Sequence, residues 1–284
     1  MHRCLIAGCG YLGEALGALL SSEGHTVFGL RRRAIRLPPG VEPFEADLAG
    51  PASLARLPGA LDFVFYLASP GGAEDALYRS AYVDGQRNLY QALASQGQRP
   101  RRVLFASSTS VYGQQGGEWV DESSPTEPVD FRGRRLLEAE GLLARGPFPG
   151  VAVRFGGIYG PRRSGLVAEV RGGRAVIRPG PPHYTNRIHR DDCAGVLRHL
   201  AQLEAPEPVY LGVDCEPADE AAVLRWLAGA LGAAEPRMAA AGELRSGERR
   251  TSKRCRNDRL LSSGYRFLHP TFREGYRGIL AEQL

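Results

Sequence analysis

Residues 4–13, Cys4-Leu5-Ile6-Ala7-Gly8-Cys9-Gly10-Tyr11-Leu12-Gly13, constrain this chain more than any other stretch. A short apolar run reads as a buried strand and breaks at Gly8-x-Gly10-x-x-Gly13. The apolar spacing of Leu16, Leu19 and Leu20 then predicts a helix. Each glycine has its own use in such a turn. Gly8 allows the tight turn, and Gly10 lets backbone approach a pyrophosphate. Gly13 lets the helix pack close to the strand, with phosphate on the helix N-terminus. The expectation is a dinucleotide site built by Gly8, Cys9, Gly10, Tyr11, Leu12 and Gly13.

The next strand, His25–Leu30, runs straight into Arg31-Arg32-Arg33. An acid at that strand end would bind the ribose 2′-hydroxyl of NAD, whereas an arginine forks onto a 2′-phosphate. Arg31 and Arg32 therefore predict NADP(H). A third strand, Phe44–Leu48, contains Asp47, and a fourth, Leu61–Leu67, is almost continuously apolar, as parallel sheets require. It leads into Ala68-Ser69-Pro70-Gly71-Gly72, a loop on the carboxyl edge where ligands bind. A long helix over about 73–95 and a strand over 102–106 follow, then Ser107-Ser108-Thr109-Ser110-Val111-Tyr112-Gly113. This alternation predicts an α/β fold, a Rossmann doubly wound parallel sheet. Residues 1–160 would form the NADP-binding domain, with later strands at about 187–212 returning to it. Residues 161–284 would be mainly a smaller C-terminal substrate-binding region and tail.

Composition narrows the function classes. The net charge of +5 invites nucleic acid, but the basic residues are arginines spread among acids, with Lys253 the sole lysine. That dispersion favours an anionic small molecule over nucleic acid. Five cysteines without a Cys-x-x-Cys pair argue for a reducing cytoplasm and against zinc or a disulfide frame, so no metal is expected. Glycines and Glu14 interrupt the apolar start, which reads as strand, turn and helix rather than a leader. No run is long enough to span a membrane.

Several motifs now stand in order: the glycine turn, Asp47-Leu48, Ser-Ser-x-x-Val-Tyr-Gly, Arg154-Phe155-Gly156-Gly157-Ile158-Tyr159-Gly160-Pro161 and Asn186-Arg187-Ile188-His189-x-Asp191-Asp192. Across almost its whole length the chain resembles extended short-chain dehydrogenase/reductases of the NAD-dependent epimerase/dehydratase type. The resemblance implies Asp47 and Leu48 at the adenine, and Ala68 and Ser69 beside the cofactor ribose. It implies Ser107 near the cofactor and Ser108 as the active-site hydroxyl. Phe155, Gly156, Gly157 and Ile158 would close over the nicotinamide end. A homodimer through the long helices is common in that family.

One departure matters. Members usually carry Tyr-x-x-x-Lys on the next helix, an acid/base tyrosine with a lysine that lowers its pKa. Here that helix begins Phe131-Arg132-Gly133-Arg134-Arg135-Leu136. One register places Arg132 and Leu136 at the pair, the other Phe131 and Arg135. Neither supplies it, and Lys253 follows Arg249 rather than a tyrosine at the same spacing. Thr109 and Ser110 stand where sugar-nucleotide dehydratases of this family carry an Asp-Glu pair, which argues against that chemistry.

The candidate proton donors are thus Ser108, Tyr112 and His189. Candidate substrate contacts are Pro70, Ser108, Arg132, Arg162, Asn186 and Arg187. The functional expectation is an NADP-dependent oxidoreductase or epimerase acting on a small anionic or sugar-like substrate. The alternative is a non-catalytic NADP(H)-binding redox sensor or regulatory protein.

Overall fold

The computed structural model describes residues 1–33, 36–240, 243 and 251–281. Seven strands form the main sheet: β1 (Arg3–Ala7), β2 (Thr26–Arg31), β3 (Val41–Glu45), β4 (Phe63–Tyr66), β5 (Arg102–Ser108), β6 (Gly150–Phe155) and β7 (Val209–Gly212). Their order is β7-β6-β5-β4-β1-β2-β3. The pairings of β1 with β2 and β4, of β2 with β3, and of β4 with β5 are all parallel. The order reverses at β1, so the carboxyl ends of β1 and β4 border the crevice where doubly wound sheets bind ligands. Leu5, Ile6 and Ala7 are fully buried, as a central strand covered on both faces demands. The third strand is shifted from its expected place: it ends at Glu45, and Asp47 lies in the loop beyond it.

Contacts divide the chain into two units. The first holds Met1–Val111, Thr126–Arg154 and Cys193–Tyr210; the second holds Tyr112–Pro125, Phe155–Asp192 and Leu211–Leu284. The sequence reading placed the break at 160 and the return near 187. The contacts place them at Arg154 and Cys193, because Gly157–Tyr159 pairs in parallel with Arg187–His189 inside the second unit.

The expected long helix is present but interrupted. Asp75–Tyr78 and Gly85–Ser95 are α-helical, and Arg79–Asp84 between them is a π turn. Such a turn misaligns backbone groups, and a side chain can take them. The Tyr66 hydroxyl does so by donating to the Ala81 carbonyl. Gly85 leaves room for it: a Cβ there would lie 2.5 Å from that hydroxyl.

In the second unit, Glu220–Leu231 and Phe272–Ala281 build the core. Tyr159, Val167, Val170, Ile177, Val223, Leu227, Phe272, Tyr276 and Ile279 pack together there. Of the expected linker at 234–250, Arg237–Met238 pairs with Val176–Ile177. Residues 241, 242 and 244–250 lie outside the described residues.

Candidate cofactor and active site

The glycine turn sits where β1 passes into the helix Tyr11–Ser22. Gly8 has φ of +93°, and a Cβ there would lie 2.4 Å from the Ala68 backbone nitrogen. Only glycine tolerates both conditions. The Gly8 and Cys9 amides donate to the Leu30 carbonyl at 3.0 and 2.9 Å, which ties the turn to the end of β2. Nothing lies within 4 Å of a Cβ placed on Gly10, so a ligand's backbone approach is open there. A Cβ on Gly13 would meet Gly8 O and Ile6 Cγ2 at 3.0 Å, the close helix-to-strand packing that position needs. Gly10 caps the helix with no side-chain hydrogen bond, leaving first-turn N–H groups for an anion. Leu12 is buried, and burial pushes the Cys9 thiol up to about 11.

Arg31 is the last residue of β2, with its NH1 3.4 Å from Glu14 Oε1; Arg32 beside it is exposed. An ion pair this long and half-exposed is weak, so Arg31 is available to a stronger anion. Ala49 N donates to the exposed Asp47 carboxylate at 3.0 Å, and Asn88 Nδ2 donates to the Leu48 carbonyl at 2.8 Å. Beyond β4, Leu67 and Ala68 pass against Gly8, and Ser69 and Pro70 follow in the same loop.

β5 ends on Ser107 and Ser108. Ser107 is buried and donates its hydroxyl to Glu140 Oε1 at 2.6 Å. Arg154 forks onto the same carboxylate, Nε at 3.1 Å and NH2 at 2.7 Å. Ser108 is half-buried, and its Oγ accepts from Ser110 N at 3.2 Å.

The helix Phe131–Ala144 lies against this loop. Asp130 caps it by accepting from Arg132 N and Gly133 N, and a Cβ on Gly133 would lie 2.5 Å from Ser110 O. Arg132 is exposed, with its guanidinium 5.7 Å from the Phe131 ring centre. Arg135 forks onto Asp75 at 2.8 and 2.9 Å and reaches Glu138, while Leu136 is buried. Tyr78 meets Phe131 edge-on at 5.5 Å and Tyr82 at 5.7 Å. Glu140, Tyr78 and Tyr82 carry no sequence signal and Arg154 stood in a motif without a role, because long-range packing alone brings them here.

In the second unit the expected site residues stand as follows. Tyr112 is fully buried and donates its hydroxyl to the Asp121 carbonyl at 2.8 Å. His189 is buried between the rings of His269 and Tyr159, at 4.0 and 5.4 Å, and its Nδ1 accepts from Asp191 N. Burial and then His269 push its pKa down to about 4, so it is neutral near pH 7. Asn186 spends its amide on the backbone of Lys253 and Cys255 at 3.0 and 2.8 Å. Arg187 is buried with its guanidinium 5.9 Å from the Phe272 ring. Arg162 is exposed with φ of +63°. Phe155 is buried, and Gly156 N and Gly157 N donate to Gly212 O and Asn186 O at 3.0 and 2.9 Å; Ile158 is half-buried.

His189, Asp192 and His269 bring ligating atoms within 4.8 Å of one another. Asp192, however, already accepts from Tyr265 OH, Leu268 N, His269 N and the His269 ring, so its carboxylate serves as a structural knot. The cysteines are free, and among the described residues no helix is long and apolar enough to cross a membrane.

Asp214 carries a testable pH signature. It is buried, accepts from Glu216 N at 3.1 Å, and burial pushes its carboxyl up to about 8. The folded state therefore keeps a proton that the unfolded state has lost, and stability falls as pH rises from about 4 through about 8. Asp214→Asn is expected to flatten this fall, with a higher Tm than wild type at pH 9. Parallel thermal melts from pH 5 to 9 check it; identical slopes for both proteins would refute it.

The model of the NAD-dependent epimerase/dehydratase family matches residues 4–169. The chain belongs to this family. A relative from Streptomyces, a 3-diazoavenalumate denitrifying reductase, is 28% identical over 96% of this chain and 98% of its own length. A structure of an epimerase/dehydratase-type protein from Methylobacillus flagellatus is 36% identical. It covers 99% of this chain and 98% of that one, with a TM-score of 0.83. A human epimerase family protein crystallised with NADPH shares the fold at 22% identity and TM-score 0.81, over 99% and 100% of the two chains.

Proposed function

We propose that this chain is a nicotinamide-dinucleotide oxidoreductase that prefers NADP(H) and acts on a small anionic or sugar-like substrate. The observation that carries the reading is the glycine cradle. It combines a positive-φ Gly8 against Ala68, an open Gly10, and a helix start whose N–H groups have no side-chain cap. In this reading, Gly8 to Gly13 hold the pyrophosphate, Arg31 and Arg32 the 2′-phosphate, Asp47 and Leu48 the adenine, and Ala68 and Ser69 the ribose. The Streptomyces relative's reductase activity and the human protein's NADPH support it.

A dinucleotide bound there supplies hydride. The Ser108 hydroxyl, at the exit of β5, would hydrogen-bond the substrate oxygen and hold it in line. Arg132 brings fixed positive charge at the start of its helix but cannot exchange a proton. With neither register offering Tyr-x-x-x-Lys, the reading favours reductions that need orientation and charge more than a tyrosine proton relay. The same gap favours a second reading, a redox sensor that binds NADP(H) without turnover.

Titrating NADPH, NADP and NADH against wild type and Arg31→Asp tests the cofactor preference. Losing charge-assisted bonds of about 1.5–3 kcal/mol should weaken NADPH by roughly ten- to a hundredfold and spare NADH. An unchanged preference would mean that Arg31 does not read the 2′-phosphate. Turnover of NADPH across carbonyl substrates separates the enzyme from the sensor.

A further inference from the structure

Glu14 follows the last glycine of the turn and supplies the acid in the first turn of the helix Tyr11–Ser22. Its N–H donates to the Gly10 carbonyl at 2.7 Å, which places it one helical turn from the open end of the glycine cradle. Its Oε1 lies 3.4 Å from NH1 of Arg31, the last residue of β2. The side chains are 34% exposed for Arg31 and 22% for Glu14, so the pair is neither dry nor fully solvated. The backbone fixes where the two meet. Leu30 O accepts from Gly8 N and Cys9 N, tying the turn to β2 one residue before Arg31. Ala46 N donates to Arg31 O at 3.2 Å, and Arg31 pairs in register with Glu45 of β3. The Cys9 thiol feels both charges: burial pushes it up to about 11, Arg31 pulls it down and Glu14 pushes it up. Both side chains thus border the glycine turn itself.

A guanidinium presents its donors in one planar fork, which suits a carboxylate or a phosphate but serves one of them best at a time. A 2′-phosphate taking Arg31 must therefore draw the guanidinium away from Glu14. The energy of the Glu14 contact is lost in that exchange and is subtracted from the gain. An unphosphorylated ribose asks nothing of Arg31, which then keeps its carboxylate. The contact thus acts differently on the two nucleotides, as any group that shifts a preference must.

We propose that Glu14 is a specificity-determining residue whose carboxylate competes with the ribose 2′-phosphate for Arg31 and holds NADP(H) back relative to NAD(H). The proposal rests on the reading that Arg31 takes that phosphate, and it names the residue that limits the preference. The pyrophosphate common to both nucleotides lies near the same helix start, so Glu14 acts on it equally in either case. The ratio of the two affinities cancels that shared effect and isolates the competition.

The test is a double-mutant cycle read in binding alone. Kd values for NADPH and NADH are measured by fluorescence titration at fixed salt for full-length wild type, Glu14→Gln, Arg31→Ala and the double variant. Glu14→Gln keeps the shape of the side chain and removes its charge. It is expected to raise the preference for NADPH over NADH by about two- to fivefold, the worth of a half-exposed ion pair. In the Arg31→Ala background the same substitution should move the ratio less, because Glu14 acts through Arg31. Thermal melts check that each variant is folded, and Glu14→Ala repeats the measurement if Glu14→Gln is not. An unchanged ratio in Glu14→Gln overturns the proposal. A lower ratio also overturns it, since Glu14 would then be orienting Arg31 for the phosphate. An equal gain without Arg31 would mean that the carboxylate repels the phosphate directly, and the competition falls. The two readings fail separately. A ratio that drops with Arg31→Ala but stays put with Glu14→Gln removes Glu14 alone. If Arg31→Ala keeps the wild-type ratio, or wild type binds neither nucleotide, the cofactor reading fails and takes this proposal with it.

Discussion

Arg154→Ala is expected to cost about 3–5 kcal/mol of stability, because it strands a buried carboxylate. Arg154 is 6% exposed and forks onto Glu140, which also accepts the Ser107 hydroxyl at 2.6 Å. Removing the guanidinium leaves the Glu140 carboxylate without its charged partner and with the Ser107 hydroxyl still donating to it. Replacing both charges, Glu140→Leu with Arg154→Leu, should cost much less than Arg154→Ala, since apolar groups of similar volume often substitute for a buried pair. Urea melts of the single and double variants at pH 8 check both statements. A single variant within 1 kcal/mol of wild type at pH 8 would show that the pair adds little. Because Ser107 precedes Ser108, a folded variant should also turn over more slowly.

Gly8 and Gly10 should respond to the same substitution in opposite ways. Gly8→Ala forces a side chain onto a φ of +93° and into the Ala68 backbone, so a loss of about 3 kcal/mol or more is expected, with cofactor affinity falling alongside. Gly10→Ala meets nothing within 4 Å and should fold almost as wild type. Its methyl group would occupy the space a pyrophosphate needs, so NADPH affinity should drop by about tenfold or more while Tm stays near that of wild type. Thermal melts beside NADPH fluorescence titrations separate the two effects. Equal NADPH affinity for Gly10→Ala and wild type would remove the pyrophosphate from this turn.

Much of this was legible because it is local. A strand followed by three spaced glycines and an apolar helix face specifies its own turn, since each glycine answers a steric condition within a few residues. The apolar runs of β1, β4 and β5 likewise announce a parallel sheet covered on both faces. The site beyond the turn was less legible. Tyr112 and His189 read as proton donors by residue type, but the bond from the Tyr112 hydroxyl to the Asp121 carbonyl and the His269 and Tyr159 rings around His189 had no signal in the sequence. Asn186 and Arg187 read as substrate contacts by residue type; the structure shows Asn186 bonded to the backbone of Lys253 and Cys255, and Arg187 buried. Residue type states what a side chain can do, but its partners decide what it does.

By itself the sequence determined the doubly wound sheet, the dinucleotide turn and the basic residues at the end of β2, because short-range sterics and periodicity set them. Only the tertiary structure decided that Glu140 and Arg154 lock Ser107, that Tyr66 enters a π turn, and that the one lysine is buried with its Nζ donating to the Tyr112 carbonyl. Those pairings join residues far apart in the chain, and burial sets the charge each group can carry once they meet.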